Sequence, residues 1–580
     1  MRGRADGYDP QQMLLEEIKT CRVAFSDIPA SVSRQHLAQA RVYAAIVALE
    51  QGLDELEVRL TWFNIDSEEE YSESEVHSSA QLRAFLHKTL ARFSDWLAVL
   101  AAVRHARDVS LLELDFPHGD FRPGQREIAE LVYKCIDQGG ELMMEAPTGI
   151  GKTVAVMYPA LKAVGLGKHE GLVFATSRTV GRRAAEECLA LMASRGLRAS
   201  GLSLTAKDRI CFSPGKACHG EDCPFARGYY DRLPAALSDA LQAASLRRQD
   251  VERIARLHEV CPYQLADDLL PWVDIVIADL HYLYSLYPKL ASRMEQDPRR
   301  FSVLLDEAHN LPERARGMYS ARLSKRELMR VKKAGPTQVR KALERINRAM
   351  LALQREDWPE GDLDSRETLP DKLVYALADF VALAGEQMAR DPVFLQLNPE
   401  LMDFYFNVLQ WLRVAEHWGE EFRLELDRGR GPQGLSLGIN CLDPSRLLRD
   451  RQSRLHSLVA FSATLSPAPW MQAMLGLGEA AVCRRMASPF EPGQLEVVLA
   501  SDVDTRYRAR AQSLPRLAAM LQHWLSENPG NSIVYFPSYR YMQDCLENLN
   551  LTDRAVWQQQ SEQSEEERQS LLQLLQERRD

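Results

Sequence analysis

The stretch from Glu145 to Thr153 constrains the fold of this chain more than any other, because it reads EAPTGIGKT between an apolar run and a helical pattern. Gly149 and Gly151 allow backbone N–H groups to curl around an anion at the start of a helix. Lys152 would then reach the β- and γ-phosphates of a nucleotide, and Thr153 would hold Mg²⁺. The segment predicts a phosphate-binding loop between a buried strand and a helix, and therefore an α/β domain.

Two later segments carry the remaining chemistry of such a domain. An apolar run ends in Asp306 and Glu307, two adjacent carboxylates that are followed by His309. Adjacent acids after a buried strand are costly unless a cation neutralises them. We therefore expect Asp306 to hold Mg²⁺, Glu307 to orient the attacking water and His309 to sense the nucleotide. Another apolar run ends in Ser-Ala-Thr at 462–464, and together these segments predict a nucleotide hydrolase.

Apolar runs of strand length alternate with helical patterns from Phe116 onward, which indicates a parallel sheet with helices on both faces. Two insertions interrupt the alternation: residues 206–270 carry four cysteines, and residues 318–450 read as mainly helical, with a long amphipathic segment over 397–418. A second unit begins after Pro467, and it is expected to hold a buried strand at Ser532–Phe536. The strands expected in the first unit are 141–145, 171–176, 273–278, 303–305 and 458–461.

These motifs resemble those of the XPD/DinG branch of superfamily 2 DNA helicases, over residues 116–580. The resemblance rests on Arg122-Pro123-Gly124-Gln125, on the DEAH box at 306–309, on Ser-Ala-Thr at 462–464 and on Phe536-Pro537-Ser538-Tyr539. It implies an ATP-dependent helicase that unwinds DNA in the 5′→3′ direction in repair or replication. It also implies single-stranded and forked DNA as partners, with residues 176–179 in contact with DNA. The implied nucleotide-binding residues are Gln125 on the adenine side, Thr148, Gly149, Gly151, Lys152 and Thr153.

Four of the ten cysteines, Cys211, Cys218, Cys223 and Cys261, lie together in the first insertion. Four thiolates with no histidine among them fit either a [4Fe–4S] cluster or a zinc site with four cysteine ligands. The spacing leaves both open, although the lack of a C-x₂-C pair disfavours zinc. The resemblance implies the iron–sulphur cluster, with the four sulphurs around one centre in a small wedge near the duplex junction.

The first 110 residues hold a second set of chemically suited side chains. Asp6 is followed by Glu17 and Lys19 on a strand pattern, and then by Gln39 and Tyr43 on a helical one. This order resembles a RecB-like nuclease of the PD-(D/E)XK class. The resemblance implies that Asp6 and Glu17 bind a divalent metal, that Lys19 steadies the reacting hydroxide, and that these three meet beside Gln39. An acid or histidine that such nucleases carry further upstream has no counterpart here, so we expect weak or no cleavage.

Charge is unevenly distributed in this acidic chain, whose net charge is −10. Residues 320–356 hold eleven Lys or Arg and three Glu, with apolar residues at helical spacing. They predict an amphipathic basic helix, whose charged face either is solvated or contacts phosphates. No apolar run approaches the roughly 20 residues that span a bilayer. Because the N-terminus also lacks a signal peptide, we expect a cytoplasmic protein that does not bind membranes.

Three functions remain open from the sequence. The first is a DNA-translocating ATPase that separates strands, which the three ATPase motifs and the four cysteines favour. The second is a metal-dependent DNA nuclease with an auxiliary ATPase. The third is a non-catalytic DNA-binding module, because the arginine motif that family helicases use in hydrolysis has no match after Tyr541. For the same reason we expect the chain ending at Asp580 to bind nucleotide, to hydrolyse it poorly and not to unwind DNA.

The expected architecture is an α/β, P-loop (RecA-like) helicase core with a parallel sheet, two insertions and an N-terminal nuclease-like domain. The expected domains are 1–110 (nuclease-like, incomplete), 111–205, 271–317 and 451–467 (motor domain 1), 206–270 (iron–sulphur insertion), 318–450 (helical arch) and 468–580 (motor domain 2, incomplete).

Overall fold

The computed structural model describes residues 5–560 and residue 570, apart from gaps at residues 23, 29, 217, 219, 221, 244, 291–300, 357–361, 392–393, 430, 432, 529 and 553. The chain divides into two compact units, residues 1–489 and residues 490–580. In the part of the chain that the structure describes, no helix is both long and apolar enough to cross a membrane.

A four-stranded sheet with two helices forms the N-terminal part of the first unit. Its elements are β1 (Gly7–Asp9), β2 (Leu14–Cys21), α1 (Ala30–Gln51), β3 (Glu55–Asn64), β4 (Glu70–Ser78) and α2 (Ser79–Glu113). The sheet order is β1-β2-β3-β4, with β2 and β3 parallel and the other neighbours antiparallel. Alternate side chains of β3, Leu56 and Val58, are buried against Leu15 and Leu82. The expected strands and helices of this region are therefore present.

Helix α2 is continuous over 35 residues and joins this sheet to the next part of the unit. A capping box at Ser78 starts the helix. Near its other end, Arg107 Nη1 forms an ion pair with Asp274 Oδ1 at 2.6 Å. The Tyr158 hydroxyl donates a hydrogen bond to the Leu114 carbonyl oxygen just past the helix, at 3.1 Å. The boundary expected at residue 110 thus falls inside one helix that is packed at both ends.

The next segment alternates strands and helices as expected from its apolar runs. Short helices of the cysteine-bearing insertion follow β7 and precede β9. The elements in chain order are α3 (Gln125–Gln138), β5 (Glu141–Glu145), α4 (Lys152–Gly165), β6 (Gly171–Thr176), α5 (Thr179–Ser194), β7 (Gly201–Ser203), α6 (Lys207–Ile210), α7 (Tyr229–Leu241), β8 (Ser245–Leu246), α8 (Arg248–Leu257), α9 (Pro262–Leu269), β9 (Ile275–Asp279), α10 (His281–Tyr284), β10 (Phe301–Asp306) and α11 (Leu311–Met318).

The second insertion combines helices with a sheet, so the expectation of a mainly helical segment was incomplete. Its elements are β11 (Ala321–Ser324), α12 (Lys325–Ala334), α13 (Arg340–Arg355), β12 (Leu363–Arg366), α14 (Asp371–Arg390), α15 (Pro399–Ala415), β13 (Phe422–Asp427) and β14 (Ser436–Cys441). The strands form an antiparallel sheet in the order β11-β14-β13-β12. The single basic helix predicted over 320–356 was wrong. A strand occupies its start, and Gly335-Pro336 separates two helices, because proline lacks the N–H that a helix needs.

The last elements of the first unit complete an eight-stranded parallel sheet. They are α16 (Ser445–Gln452), β15 (Ser457–Ser462), α17 (Ala468–Met474) and β16 (Val482–Arg485). The sheet order is β16-β5-β15-β10-β6-β9-β7-β8, and neighbouring strands are parallel. The predicted α/β fold with a parallel sheet is confirmed. Because β16 pairs with β5, the first unit extends past residue 468, where the second motor domain was expected to begin.

The second unit contains helices α18 (Arg510–Glu527) and α19 (Tyr539–Leu546), which pack around Leu517, Tyr541 and Cys545. The buried strand predicted at Ser532–Phe536 was wrong, since these residues form no strand and Tyr535 is 88% exposed. A strand requires a hydrogen-bonding partner, and the described residues of 490–580 contain no other strand for it to pair with.

The docking of α2 on α4 can be tested at Gly165, the last residue of α4. A Cβ there would lie 2.7 Å from Leu111 Cβ of α2, so Gly165→Ala should lower the apparent free energy of unfolding by about 1–3 kcal/mol. In α14, a Cβ at Gly385 meets nothing within 4 Å. The matched variant Gly385→Ala should therefore be neutral or stabilising by up to about 1 kcal/mol. Urea unfolding of both variants measures the difference, and equal stabilities would contradict the close packing of α2 on α4.

Candidate nucleotide-binding site

Four parallel strands bring their last residues to one edge of the large sheet. In the register of β5 with β15, Glu145 lies opposite Ser462. In the register of β10, Asp306 lies opposite Phe461 on one side and Thr176 on the other. Since the carboxyl ends of parallel strands are where α/β domains place ligands, the predicted motifs meet at the expected edge.

The loop after β5 has the backbone that a phosphate-binding loop requires. Gly149 and Gly151 adopt φ values of +84° and +76°, which side-chain-bearing residues rarely adopt. Thr148 and Gly149 are exposed at the tip, and Lys152 begins α4. Lys152 Nζ donates to the Pro147 carbonyl oxygen at 3.3 Å. Burial lowers the pKa of Lys152, although Glu307 and Asp306 act in the opposite direction, which shows that both carboxylates lie near this ammonium.

Gln125, at the start of α3, is hydrogen-bonded to the phosphate-binding loop. Its side chain is 2% exposed. Its Oε1 accepts a hydrogen bond from the Arg122 N–H at 2.8 Å, and its Nε2 donates to the Gly151 carbonyl oxygen at 3.4 Å. Both polar ends therefore have protein partners in this structure, and the adenine-side role of Gln125 stays a prediction.

Asp306 ends β10 in a nearly closed environment, with 8% of its surface exposed. Its Oδ2 accepts a hydrogen bond from the Thr176 hydroxyl at 3.1 Å. Burial raises the pKa of Asp306, and the neighbouring Glu307 carboxylate raises it further, despite the hydrogen bond from Thr176. A group placed in this way favours a nearby cation. Thr176, which the resemblance placed against DNA, is instead buried against this carboxylate.

Glu307 and His309 are linked to the third motif through Ser462. Glu307 has φ +50°, a strained conformation for a residue other than glycine. The Ser462 hydroxyl donates to Glu307 Oε2 at 3.3 Å and lies 2.6 Å from His309 Nδ1. On the outer side, Arg178 Nη1 approaches Glu307 Oε1 to 3.9 Å. The motifs at 306–309 and 462–464 thus form one hydrogen-bonded network.

Gly181, in the first turn of α5, is a site residue that the sequence reasoning missed. A Cβ at this position would lie 2.3 Å from Asp306 Oδ2 and 2.4 Å from Thr176 Oγ1. No side chain larger than hydrogen fits there without moving the Asp306 carboxylate. Its sequence signal is weak, since it is a lone glycine in a helical pattern shortly after a strand.

Glu145 begins the loop motif, but the sequence did not reveal that its carboxylate holds neighbouring segments together. Its Oε2 accepts hydrogen bonds from the Leu465 N–H at 2.7 Å and the Ser466 hydroxyl at 2.8 Å. Arg485 Nε lies 2.9 Å from Oε1. Burial would raise the pKa of Glu145, but these donors and Arg485 hold it below its usual value. The carboxylate therefore ties the start of the phosphate-binding loop to the segment after Ser462 and to β16.

The four cysteines of the first insertion lie in one region of the structure. Burial raises the pKa of Cys261, and the nearby Cys211 and Cys223 raise it further. Cys218 is exposed and accepts a hydrogen bond from Lys207 Nζ, which raises the pKa of that lysine. Within the described residues, no group of three or more His, Cys, Asp or Glu side chains is placed to hold a metal. The role of the four cysteines as ligands of one cluster stays a prediction.

The predicted N-terminal patch is brought together by β1, β2 and α1. Asp6 Oδ2 accepts a hydrogen bond from the Ile18 N–H at 2.9 Å, and Lys19 Nζ lies 2.5 Å from Glu17 Oε1. Glu17 is 1% exposed, and its Oε2 has no partner among the described residues. His36, which the sequence reasoning missed, hydrogen-bonds with Gln39, and its pKa is lowered by burial and then by Lys19. The metal-binding role of Asp6 and Glu17 stays a prediction.

Known families and proteins match the region that contains these motifs. Residues 122–211 match the family model described as DEAD/DEAH box helicase, and residues 192–328 match the model named DEAD_2. The general transcription and DNA repair factor IIH helicase subunit XPD of Dictyostelium discoideum is 22% identical over 387 residues, which cover 59% of this chain and 47% of that protein. The corresponding subunit of Schizosaccharomyces pombe is 25% identical over 242 residues, 34% of this chain and 30% of that protein.

The chain spans less than half the length of these relatives. Among solved structures, S. tokodaii Xpd4 is aligned over 78% of this chain and 79% of its own, at 16% identity and a TM-score of 0.45.

The role of Gly181 gives a direct test of the site. Gly181→Ala should displace the Asp306 carboxylate by about 1 Å, and a shift of that size in a catalytic group costs about 10²-fold in rate. Single-turnover ATP hydrolysis as a function of Mg²⁺ measures this loss. Gly317→Ala in α11 is the matched control, since a Cβ there meets nothing within 4 Å, and it should leave hydrolysis unchanged. Equal rates in the two variants would show that Gly181 does not position Asp306.

Proposed function

We propose that this chain, an XPD-like superfamily 2 protein, carries the ATP-hydrolysing site of a helicase that moves along DNA and separates its strands. The observation that carries the proposal is the convergence of Lys152, Asp306 and Glu307 at one edge of the parallel sheet, where Lys152 lies within electrostatic reach of both carboxylates. Phosphoryl transfer to water requires three kinds of group. A cation contacts the phosphates, one carboxylate holds the metal ion, and a second carboxylate orients the attacking water.

The residues at this edge fit a bound Mg²⁺. Asp306 is buried, its pKa is raised and Glu307 adjoins it, so a divalent cation would offset the repulsion between two carboxylates. When bound, Mg²⁺ neutralises phosphate charge and orients the β- and γ-phosphates. Thr153 and Asp306 would hold the ion, Lys152 would contact the phosphates, and Glu307 would orient the attacking water. Ser462 holds Glu307 and His309 in place for this task.

The residues that we expect to contact DNA follow the end of β6. Arg178 is largely exposed and approaches Glu307, while Ser177 Oγ accepts a hydrogen bond from Asn310 Nδ2 at 3.2 Å. A strand of DNA in contact with Arg178 would therefore be one side chain away from Glu307, the acid that orients water. We infer single-stranded and forked DNA as partners, 5′→3′ movement, a role in repair or replication and a cytoplasmic location.

A [4Fe–4S] cluster held by Cys211, Cys218, Cys223 and Cys261 is the cofactor that the donor set favours. Cys211 and Cys223 lie near enough to Cys261 to raise its pKa, and the cysteines are contributed by neighbouring short elements around α6 and α9. Ligation would require Cys218 to leave Lys207. When bound, such a cluster cross-links its four ligands and stiffens the loops that carry them.

Lys152→Ala tests the proposed hydrolysis. Loss of a charge-stabilising contact to a transferring phosphate should slow DNA-stimulated ATP hydrolysis by about 10²–10³-fold, while binding of single-stranded DNA remains unchanged. Lys134→Ala, at an exposed position of α3, removes the same charge away from the loop and should hydrolyse ATP normally. DNA-stimulated hydrolysis at the same rate in both variants would refute the motor assignment.

Iron analysis of anaerobically purified protein tests the cluster. The unaltered protein should contain about four iron atoms per chain and absorb visible light, and a serine at position 211, 218, 223 or 261 should abolish both. Cys483→Ser is the control, because Cys483 is a half-buried cysteine of β16 outside the insertion, and it should keep its iron. Stoichiometric zinc without iron would overturn the assignment of the cofactor and leave the fold untouched.

A further inference from the structure

Seven cations on the second insertion have no assigned role and no counter-ion among the residues that the structure describes. They belong to α12 and α13, and all of them are exposed. Among the described residues none of them forms an ion pair, whereas the neighbouring Lys332 and Arg345 pair with Glu344 and Asp379. We call this set the basic surface; it consists of Arg326, Arg330, Lys333, Arg340, Lys341, Arg348 and Arg355.

Packing fixes the direction in which the basic surface faces. Helix α13 buries Leu343, Ile346, Met350 and Leu353, and α12 buries Leu328 and Val331. With one face of each helix held in the core, the opposite face points outward. Lys341, Arg348 and Arg355 are seven residues apart, so they lie about 10.5 Å apart along one stripe of α13. The helix therefore fixes the spacing at which the backbone presents these three cations.

The basic surface is positively charged although the chain as a whole is acidic. The net charge is −10, so a surface of seven unpaired cations cannot reflect a generally basic protein. An extended, regularly charged polyanion is the chemistry that complements it.

The composition of the two helices distinguishes duplex from single-stranded DNA. No aromatic residue occurs between Lys325 and Arg355. Sites for single strands usually combine cations with aromatic rings on which the bases stack, and this surface offers only contacts to a backbone. Duplex DNA presents one negative charge per about 1.7 Å of its axis, which is the denser partner for such contacts.

We propose that the basic surface holds the phosphate backbone of duplex DNA. The inference rests on the proposed function, since the duplex would be the part of a fork that the motor has yet to open. The contacts are to phosphates alone, so binding is independent of base sequence.

The salt dependence of duplex binding tests the proposal. The triple variant Lys341→Gln, Arg348→Gln and Arg355→Gln removes the row on α13. The slope of log affinity against log salt for a blunt duplex should become less negative by about 2 to 3, since each lost phosphate contact contributes about 0.9. The matched variant Lys88→Gln, Arg92→Gln and Arg104→Gln removes three exposed charges from α2 and should change the slope by less than about 1. The measurements are made without nucleotide, and thermal unfolding of both variants is compared first.

The other outcomes overturn the proposal. An unchanged slope in the α13 variant would assign the surface to solvent or to an acidic protein, and equal changes in both triple variants would reduce the effect to net charge. An equal change for duplex and for a single-stranded oligonucleotide would contradict the preference for duplex. The proposed function fails in a different measurement. If the unaltered protein does not hydrolyse ATP in the presence of DNA, the proposed function is wrong. Duplex binding can still differ between the two triple variants in that case, and the basic surface would then remain a DNA-binding surface.

Discussion

In-register pairing of the parallel strands β5, β15, β10 and β6 is the constraint on which the site depends. Each strand is buried on both faces, so its sequence is almost wholly apolar until the last residue. Glu145, Ser462, Asp306 and Thr176 are therefore the first polar side chains at one common edge. A shift of one strand by one residue would turn its terminal side chain to the opposite face of the sheet. The register of these buried strands therefore determines which polar side chains meet at the nucleotide-binding edge.

Crowding around Asp306 determines what that edge can do. The carboxylate is enclosed by Thr176, by the backbone of Gly181 and by Glu307, and water has little access to it. Solvent screens charge poorly in such a place, so an approaching cation or phosphate interacts more strongly with it than it would at the surface. The strained backbone of Glu307 is tolerated because Ser462 and Arg178 hold its side chain on both sides.

The sequence predicted local features well and long-range ones poorly. Strands 141–145 and 171–176 were predicted to the residue, because apolar runs bounded by Gly and charge leave few alternatives. The antiparallel sheet of the second insertion was missed, since its strands are four to six residues long and pair with partners up to 118 residues away. The roles of Gly181 and Glu145 depend on atoms of distant strands and loops, which no local pattern reveals. Ser532–Phe536 has the apolar composition of a strand, but composition does not show whether a neighbouring strand is present to form hydrogen bonds with it.

The continuity of α2 has a mechanical consequence. A helix of 35 residues is about 52 Å long, with the N-terminal sheet at one end and the phosphate-loop helix α4 at the other. One end of the helix is fixed to the last turn of α4 through Leu111 and to Asp274, next to β9, through Arg107, so a tilt at this end is carried along the whole helix. A tilt of roughly 5° at α4 would move the far end by about 4.5 Å over that length, more than the length of one hydrogen bond. Small movements where α2 packs against the end of α4 would thus become displacements of several ångströms at the N-terminal sheet, which carries Glu17.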